Sequence, residues 1–371
     1  MEFENKNEGV LLIAAGNPHY GQMALNLLLA IKATDGYAKV ALAHDDYGIG
    51  YLTRNELALF DHCLPIDPAL YMDGSKAHWG RLKCQLPALS PFDRTIFLDV
   101  DSVWFPVKRA SDLFQELTGV DFTPQVHCAI PIDAPDDRGI CVWANMRDVR
   151  GAYDLKAAVR VLSSYFFYFN KNPHSLHFFE KATEICDDLL SGKMPFTGWQ
   201  NTVPDELCFS LAAGVLGETF PNDEYKPVYE YTNPNPPTRN EMFKNFYAAT
   251  QCGDRAPAGW KSLYDDLNTY HQRKLKQSRP YKWKDKFRFN KTVYTDDVLR
   301  IEKYNRMLKR NNVAHDWFYR QKDGTYNSVD NENFTREQIN IIAKAGGYSL
   351  TDESGMYIEK SSPKEIHLLI V

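Results

Sequence analysis

The sequence predicts an α/β fold in which helices flank a mostly parallel central sheet. Three observations support this prediction. Apolar runs alternate with segments of helical periodicity from residue 9 onward, which is typical of parallel sheets covered by helices. Hydrophobic residues make up 44% and aromatic residues 13% of the 371 positions, as in folded globular chains. Polar residues follow the apolar runs, where ligands of such sheets bind.

The elements follow in order from the N-terminus. GVLLIAAG (9–16) predicts a buried strand because the run is continuously apolar, and residues 21–34 have the spacing of a helix. Thr53 and Glu56 form a candidate capping box at the start of a helix. Further strands are predicted at 38–46, 94–105 and 163–170, and further helices at 53–63, 79–92, 173–192 and 203–214.

The character of the chain changes near residue 275. Between Arg273 and Arg310 there are 14 Lys and Arg against 4 Asp and Glu, a net charge of +10. The whole chain has a net charge of −5, so the other residues together carry −15. We therefore predict a main domain at 1–275 and a basic C-terminal accessory region at 276–371. Within the latter, helices are predicted at 295–313 and 334–346.

Composition excludes several classes of protein. No apolar run approaches the roughly 18–20 residues of a membrane helix, and the polar N-terminus lacks the pattern of a signal peptide. The seven cysteines form no C-x-x-C pair, which favours reduced thiols over a disulfide framework or a zinc site. We expect a soluble protein of a reducing compartment, the cytoplasm of a bacterial or phage-infected cell.

The stretch FDRTIFLDVDSVWF (92–105) carries the main chemical signal. Asp99 and Asp101 follow a buried run, where unpaired carboxylates are costly and repel each other. In a strand the two side chains point to one face, so both can reach one Mg²⁺ or Mn²⁺ ion, which prefers hard oxygen ligands. The alternative is an exposed acidic turn.

Two enzyme classes use such a motif. DVDSV (99–103) fits the D-x-D-x-[TV] pattern of haloacid-dehalogenase-like phosphatases, but that motif usually lies on their first strand. AAGNPHY (14–20), RLKCQLPALSPFDRTIFLDVDSVWF (81–105) and PDELCFSLAAG (204–214) occur in the order of a second family. Over residues 9–215 the chain resembles GT-A glycosyltransferases, particularly the glycogenin/galactosyltransferase-like group.

The resemblance implies a metal-dependent hexosyl- or pentosyltransferase that uses a nucleotide-diphosphate sugar. It assigns Mn²⁺ or Mg²⁺ to Asp99 and Asp101, with His271 as a candidate third ligand. The group's His-x-Gly-x-x-Lys-Pro-Trp pattern is absent, which puts this third ligand in doubt. The resemblance assigns nucleotide-sugar binding to Ala15, Asn17, Tyr20, Arg81, Lys83, Asp99 and Lys261. It assigns the catalytic carboxylates to Asp205 and Glu206, since an inverting enzyme needs a base to deprotonate the acceptor hydroxyl. The sequence leaves open whether the transfer inverts or retains the anomeric configuration.

The basic stretch RKLKQSRPYKWKDKFRFNK (273–291) bears on the acceptor. Cations neutralise phosphates and aromatic rings stack on bases, so this composition predicts a nucleic-acid interface. Its candidate residues are Arg273, Lys274, Lys282, Trp283, Lys284, Lys286 and Arg288. The predicted acceptor is a hydroxymethylated base in double-stranded DNA, as in phage DNA-modifying enzymes. The alternatives are a surface-glycan or protein acceptor, docking to an anionic membrane, a phosphatase, or an inactive nucleotide-sugar-binding module.

Overall fold

The computed structural model describes residues 7–73, 76–198, 202–220, 223–231, 236–251 and 259–277, and six strands between residues 315 and 370. The chain divides into two compact units, Met1–Lys286 and Phe287–Val371. The boundary near residue 275 stays a prediction.

The first unit contains thirteen described strands and ten described α-helices. The strands are β1 (Glu8–Ala14), β2 (Val40–His44), β3 (His62–Pro65), β4 (Met72–Asp73), β5 (Lys76–Ala77), β6 (Arg94–Leu98), β7 (Val103–Trp104), β8 (Phe122–Ile130), β9 (Gly139–Ile140), β10 (Ala144–Asn145), β11 (Val159–Asn170), β12 (Val228–Glu230) and β13 (Ala248–Thr250). The helices are α1 (Pro18–Thr34), α2 (Arg54–Leu57), α3 (Trp79–Lys83), α4 (Leu86–Leu89), α5 (Ala110–Glu116), α6 (Met146–Ala152), α7 (Pro173–Leu190), α8 (Asp205–Leu216), α9 (Arg239–Asn245) and α10 (Trp260–Gln277). A short 3₁₀ helix covers Pro68–Leu70.

The central sheet has the strand order β3-β2-β1-β6-β11-β8. Strands β3, β2, β1 and β6 pair in parallel, whereas β11 is antiparallel to both of its neighbours. Five of the six strands therefore run in one direction. A mostly parallel sheet flanked by helices is what the sequence predicts, so the α/β fold class is confirmed.

Helices cover both faces of this sheet because its strands are apolar on both faces. Leu11, Ala41, Phe97 and Phe167 belong to one buried cluster with residues of α7 and α8. The neighbouring strand positions, such as Leu12, are equally buried but lie outside that cluster, and α1 contacts β1 and β2. None of the helices in the described part of the chain is long and apolar enough to cross a membrane.

A cluster of aromatic rings fixes α7 and α8 against the sheet. Phe167 of β11 lies 4.6 Å from Phe209 of α8 between ring centroids, and Phe122 of β8 lies 4.4 Å from Phe178 of α7. Phe179 packs edge-on against the same rings. These side chains are buried, so the start of α8 is held rigidly relative to β11.

Three thiols from α7, α8 and the end of α3 meet behind these helices. Cys84, Cys186 and Cys208 are buried and belong to the same core cluster, and Cys84 Sγ donates to the Gly80 carbonyl oxygen at 3.4 Å. The six cysteines in the described ranges are all free. Cys252 lies outside those ranges.

A small sheet with the order β12-β13-β7 lies next to the motif strand. Strand β13 is antiparallel to β7 and parallel to β12. Because β7 begins two residues after Asp101, this sheet brings residues near 230 and 250 to the end of β6.

The prediction of a single helix at 79–92 is wrong. The structure has two short helices there, α3 and α4, separated by Cys84 and Gln85. Pro87 has no N–H to donate to the preceding turn, so a continuous helix loses a hydrogen bond at that position.

The second unit is described only as strands. They are β14 (His315–Arg320), β15 (Tyr326–Ser328), β16 (Asn333–Phe334), β17 (Ser349–Leu350), β18 (Met356–Ser362) and β19 (Glu365–Ile370). They form one sheet in the order β16-β15-β14-β18-β19-β17. The predicted helix at 295–313, and the one at 334–346 except Phe334, fall outside the described residues.

Candidate active site

Asp99 and Asp101 lie in the turn that follows β6. Strand β6 ends at Leu98, and Ser102 N donates to the Asp99 carbonyl oxygen over 3.0 Å. The two carboxylates are thus brought together by a turn and not by the periodicity of a strand. The charge of Asp99 contributes to raising the pKa of Asp101.

Lys83 joins two of the predicted site carboxylates. Its Nζ lies 2.7 Å from Asp99 Oδ2 and 3.0 Å from Asp205 Oδ2, and it also contacts Ser164 Oγ at 3.3 Å. Burial lowers the pKa of Lys83, but the charges of Asp205 and Asp99 outweigh burial and raise it. The ammonium group therefore stays charged between the end of β6 and the start of α8.

Asp101 is held from the small sheet. Thr250 Oγ1 donates to Asp101 Oδ1 over 3.3 Å. Burial first, and the charge of Asp99 second, raise the pKa of Asp101 to about 7. A divalent cation would relieve both causes, so the carboxylates of Asp99 and Asp101 fit the predicted Mn²⁺ or Mg²⁺ ion.

Asp205 and Glu206 form the first turn of α8, as predicted for the acidic start of this helix. Asp205 Oδ1 accepts a hydrogen bond from Glu206 N at 3.0 Å. Glu206 Oε2 accepts one from Trp143 Nε1 at 3.4 Å. Burial, followed by the charge of Asp205, raises the pKa of Glu206 to about 7.

The loop after β1 lies at the same edge of the sheet. Asn17 caps α1 and its side chain accepts from His19 N, while Ala15 is buried and Tyr20 is 37% exposed. Asp45, which follows β2, accepts a hydrogen bond from Gly16 N at 2.9 Å and ties the two loops together. A Cβ at Gly16, where φ is +76°, would lie 2.3 Å from Trp79.

Two further predicted donor-binding residues lie on α3 and α10. Arg81 Nε binds Asp187 Oδ1 at 2.7 Å, and its Nη1 donates to the Leu70 carbonyl oxygen at 2.6 Å. Lys261 is exposed on α10. Their roles toward a donor stay predictions.

His271 is buried on α10 and its Nε2 donates to the Trp104 carbonyl oxygen at 2.9 Å. Burial lowers its pKa to about 4, and its Nδ1 has no hydrogen-bond partner. Among the described residues, no three His, Cys, Asp or Glu side chains form a group that could hold a metal ion. A third protein ligand at His271 therefore remains a prediction.

The predicted nucleic-acid-binding residues are mostly undescribed. Lys274 lies half-buried on α10, and only the backbone of Arg273 is described. The others lie outside the described ranges: Lys282, Trp283, Lys284, Lys286 and Arg288.

The structure adds residues that the sequence did not indicate. His127 Nε2 lies 2.9 Å from Ser163 Oγ, and its Nδ1 lies 3.3 Å from Glu230 Oε2. The charge of Glu230 contributes to the raised pKa of Glu206. No local motif marks Glu230 or Trp143, because both reach the site through tertiary contacts.

Comparisons with known proteins give similarity of fold at low identity. No family model and no curated protein match the chain. Among solved structures, apo WbbM, a bifunctional glycosyltransferase, is 11% identical with a TM-score of 0.41, covering 76% of this chain and 53% of its own. Galactosyltransferase LgtC with donor and acceptor sugar analogues is 10% identical with a TM-score of 0.42, covering 75% of this chain and all (100%) of its own.

Apo mouse xyloside xylosyltransferase 1 is 13% identical with a TM-score of 0.38, covering 67% of this chain and 96% of its own. This chain thus spans about half the length of WbbM, at 53%. All three proteins are glycosyltransferases by name. Similarity at these scores is too weak to assign an activity, so the proposals below rest on the strand order and the side-chain contacts.

Proposed function

We propose that the chain transfers a sugar from a nucleotide-diphosphate sugar to an acceptor hydroxyl, with a divalent cation at Asp99 and Asp101. The single observation that carries this proposal is Lys83, which bridges Asp99 at 2.7 Å and Asp205 at 3.0 Å. These ion pairs place a cation between two carboxylates beyond the carboxyl ends of parallel strands, where α/β proteins bind ligands.

Each group of site residues has a separate proposed role in the transfer. A bound Mn²⁺ or Mg²⁺ ion would neutralise charge on the departing diphosphate. Lys83 supplies a fixed positive charge beside Asp99 and Asp205, and charge stabilisation at a leaving group is a major part of such catalysis. Asn17 and Tyr20 begin the helix after β1 and are proposed to contact the nucleoside.

The position of the motif favours a transferase over a phosphatase. Asp99 follows the fourth strand of the central sheet along the chain, after β1, β2 and β3. Haloacid-dehalogenase-like phosphatases usually carry D-x-D-x-[TV] after the first strand. Phosphate release without any nucleotide sugar would reverse this preference.

The acceptor proposal rests on sequence composition alone. The segment 273–291 combines cations with aromatic residues, which supports a hydroxymethylated base in DNA as the acceptor. Salt-sensitive binding of duplex DNA should be lost when Lys282, Lys284 and Lys286 are changed to Gln. Unchanged binding would leave a surface glycan or a protein as the acceptor.

Thermal unfolding with a panel of nucleotide sugars tests the transferase proposal. A donor should stabilise the chain only with Mn²⁺, since a ligand that binds the folded state alone raises its stability. The shift should vanish in Asp101→Ala and persist in Asp133→Ala, which removes an exposed carboxylate outside the site. No shift with any donor would refute the proposal.

A further inference from the structure

The hydroxyl of Thr250 lies beside one of the two carboxylates proposed to hold the cation. Thr250 Oγ1 donates to Asp101 Oδ1 over 3.3 Å, and the residue is only 1% exposed. In the described part of the chain, no group donates a hydrogen bond back to this oxygen. A hydroxyl oxygen carries two lone pairs, so Thr250 Oγ1 is a buried oxygen that can still bind a cation.

The spacing of the two oxygens suits neighbouring ligands of one divalent ion. Mg²⁺ binds oxygen ligands at about 2.0–2.1 Å in octahedral geometry, so two neighbouring ligands lie about 3.0 Å apart. The 3.3 Å between Thr250 Oγ1 and Asp101 Oδ1 is close to that value. Threonine and serine hydroxyls also bind Mg²⁺ beside phosphates in P-loop proteins, so a hydroxyl is a suitable ligand next to a diphosphate.

Backbone pairing holds Thr250 at this place. Thr250 ends β13, and the residue before it, Ala249, pairs with Val103 of β7, two residues after Asp101. On the other side of β13, Thr250 pairs with Glu230 of β12. A side chain on a paired strand keeps a defined position, which a ligand of a rigid site requires.

The candidate third ligand from the sequence, His271, is bound to the backbone instead. Its Nε2 donates to the Trp104 carbonyl oxygen at 2.9 Å, and its Nδ1 has no hydrogen-bond partner. Within the ranges that the structure describes, His, Cys, Asp and Glu form no group of three that could hold a metal ion. A threonine hydroxyl is not one of those residue types, so a site of two carboxylates and one hydroxyl agrees with both observations.

We propose that Thr250 Oγ1, and not His271, is the third protein ligand of the cation, which makes an all-oxygen site with Asp99 and Asp101. This inference rests on the proposed function, which assigns the cation to the two carboxylates. The ion takes a lone pair of Oγ1, so the hydroxyl keeps its proton.

This ligand set determines which ions the site prefers. Carboxylates and other hard oxygen ligands suit Mg²⁺, Ca²⁺ and Mn²⁺, whereas thiolates suit softer ions. Replacing the Thr250 hydroxyl with a thiol should therefore change the preferred ion. A residue that only orients Asp101 would behave differently, because its replacement should weaken the binding of every ion alike.

Thr250→Cys in the full chain tests the inference. Mg²⁺ and Cd²⁺ are titrated by calorimetry in the presence of UDP, and ultraviolet absorption detects Cd²⁺–thiolate bonds. The ratio of Cd²⁺ to Mg²⁺ affinity should rise at least about 10-fold over wild type, and a new Cd²⁺–thiolate absorption should appear. Adding Asp101→Ala should remove this absorption, which separates it from Cd²⁺ bound at the seven native cysteines.

Two further variants provide controls. Thr118→Cys places a thiol at an exposed position after α5, and it should give no absorption that depends on Asp101. His271→Gln keeps an N–H donor for the Trp104 carbonyl oxygen and should bind Mg²⁺ as tightly as the wild type. Thermal unfolding confirms that each variant is folded.

The outcomes separate the inference from the proposed function. Equal weakening of Mg²⁺ and Cd²⁺ by Thr250→Cys, without the new absorption, would overturn the inference and leave Thr250 as a residue that only orients Asp101. Loss of Mg²⁺ binding in folded His271→Gln would also overturn it. Absence of Mg²⁺ and Mn²⁺ binding to the wild type, with or without UDP, would instead refute the cation of the proposed function.

Discussion

Thr250 Oγ1 donates a hydrogen bond to Asp101 Oδ1 across 3.3 Å, although the two residues are 149 positions apart in the sequence. The pairing of β13 with β7 brings them together. Thr250 is buried, so its hydroxyl orients the Asp101 carboxylate from the side that solvent does not reach. The small sheet thus positions one of the two carboxylates proposed to hold the cation.

Removing this hydroxyl should weaken cation binding. Thr250→Val keeps the shape of the side chain but leaves Asp101 without its fixed donor, and a hydrogen bond to a charged group contributes about 1.5–3 kcal/mol. We expect Mn²⁺ affinity in the presence of UDP to fall at least about 5-fold, as measured by titration calorimetry. Thr250→Ser restores a donor and should bind normally; equal affinity in all three proteins would contradict the role of Thr250.

Lys83 should be important for stability as well as for charge at the site. Lys83→Met leaves Asp99 and Asp205 without their shared cation, and the side chains of all three are only 21–24% exposed. Removing one partner of a buried pair costs about 3–5 kcal/mol, and roughly half of that is expected for Lys83 at this exposure. Urea unfolding measures the loss.

The exposed pair of Arg239 and Asp266 provides the control for Lys83. Its side chains are 49% and 57% exposed at 2.8 Å, so Arg239→Met should cost less than about 1 kcal/mol. Equal losses in the two variants would show that Lys83 acts as an ordinary surface charge.

Gly80 allows α3 to approach the start of α8. A Cβ at this position would lie 2.3 Å from the Val203 carbonyl oxygen, a backbone atom that cannot rotate away. Gly80→Ala should therefore destabilise the chain by at least about 1–3 kcal/mol, the usual cost of overpacking. It should also disturb Lys83, three residues further along α3.

Gly151 is the matched control for Gly80. It lies in α6 and a Cβ there meets nothing within 4 Å. Gly151→Ala should stabilise the protein by about 0.5–1 kcal/mol, because alanine loses less backbone entropy in a helix. Thermal unfolding compares the two variants, and a tolerated Gly80→Ala would contradict the predicted overlap.

Glu206 should make stability depend on pH with a defined sign. Its pKa is raised from 4.5 to about 7 in the fold, so between these values the folded state binds more protons than the unfolded state. Stability from this group is present below pH 4.5 and is lost as the pH rises through about 7. Glu206→Gln should therefore gain about 1–3 kcal/mol over wild type at pH 8 relative to pH 5. Denaturant unfolding of both proteins at the two pH values measures the difference; no change between them would contradict the raised pKa.

Local sequence rules predicted the elements whose pattern is strong. The apolar run at 9–16, the helical spacing at 173–192 and the acidic start of α8 correspond to β1, α7 and α8. The capping box of Thr53 and Glu56 is formed as predicted. These features depend on neighbouring residues, so the sequence alone contains the information.

Contacts between distant segments were not predictable in the same way. Trp143 reaches Glu206 across 63 positions, and Thr250 reaches Asp101 through the pairing of two short strands. The donor-facing role of Lys83 stays a prediction, and its ion pairs with Asp99 and Asp205 were not predicted. Such contacts are set by how helices pack on the sheet, which residue periodicity does not specify.

The aromatic cluster of Phe122, Phe167, Phe178, Phe179 and Phe209 also determines when the site can form. Its rings come from segments far apart in the chain, and closing long loops costs conformational entropy before the rings can pack. Asp205 and Glu206 begin the helix that Phe209 anchors, so Asp205 meets Lys83 only when that helix has docked. During synthesis on the ribosome, the N-terminal strands emerge well before α8. During refolding, the recovery of donor binding should therefore report the docking of α8.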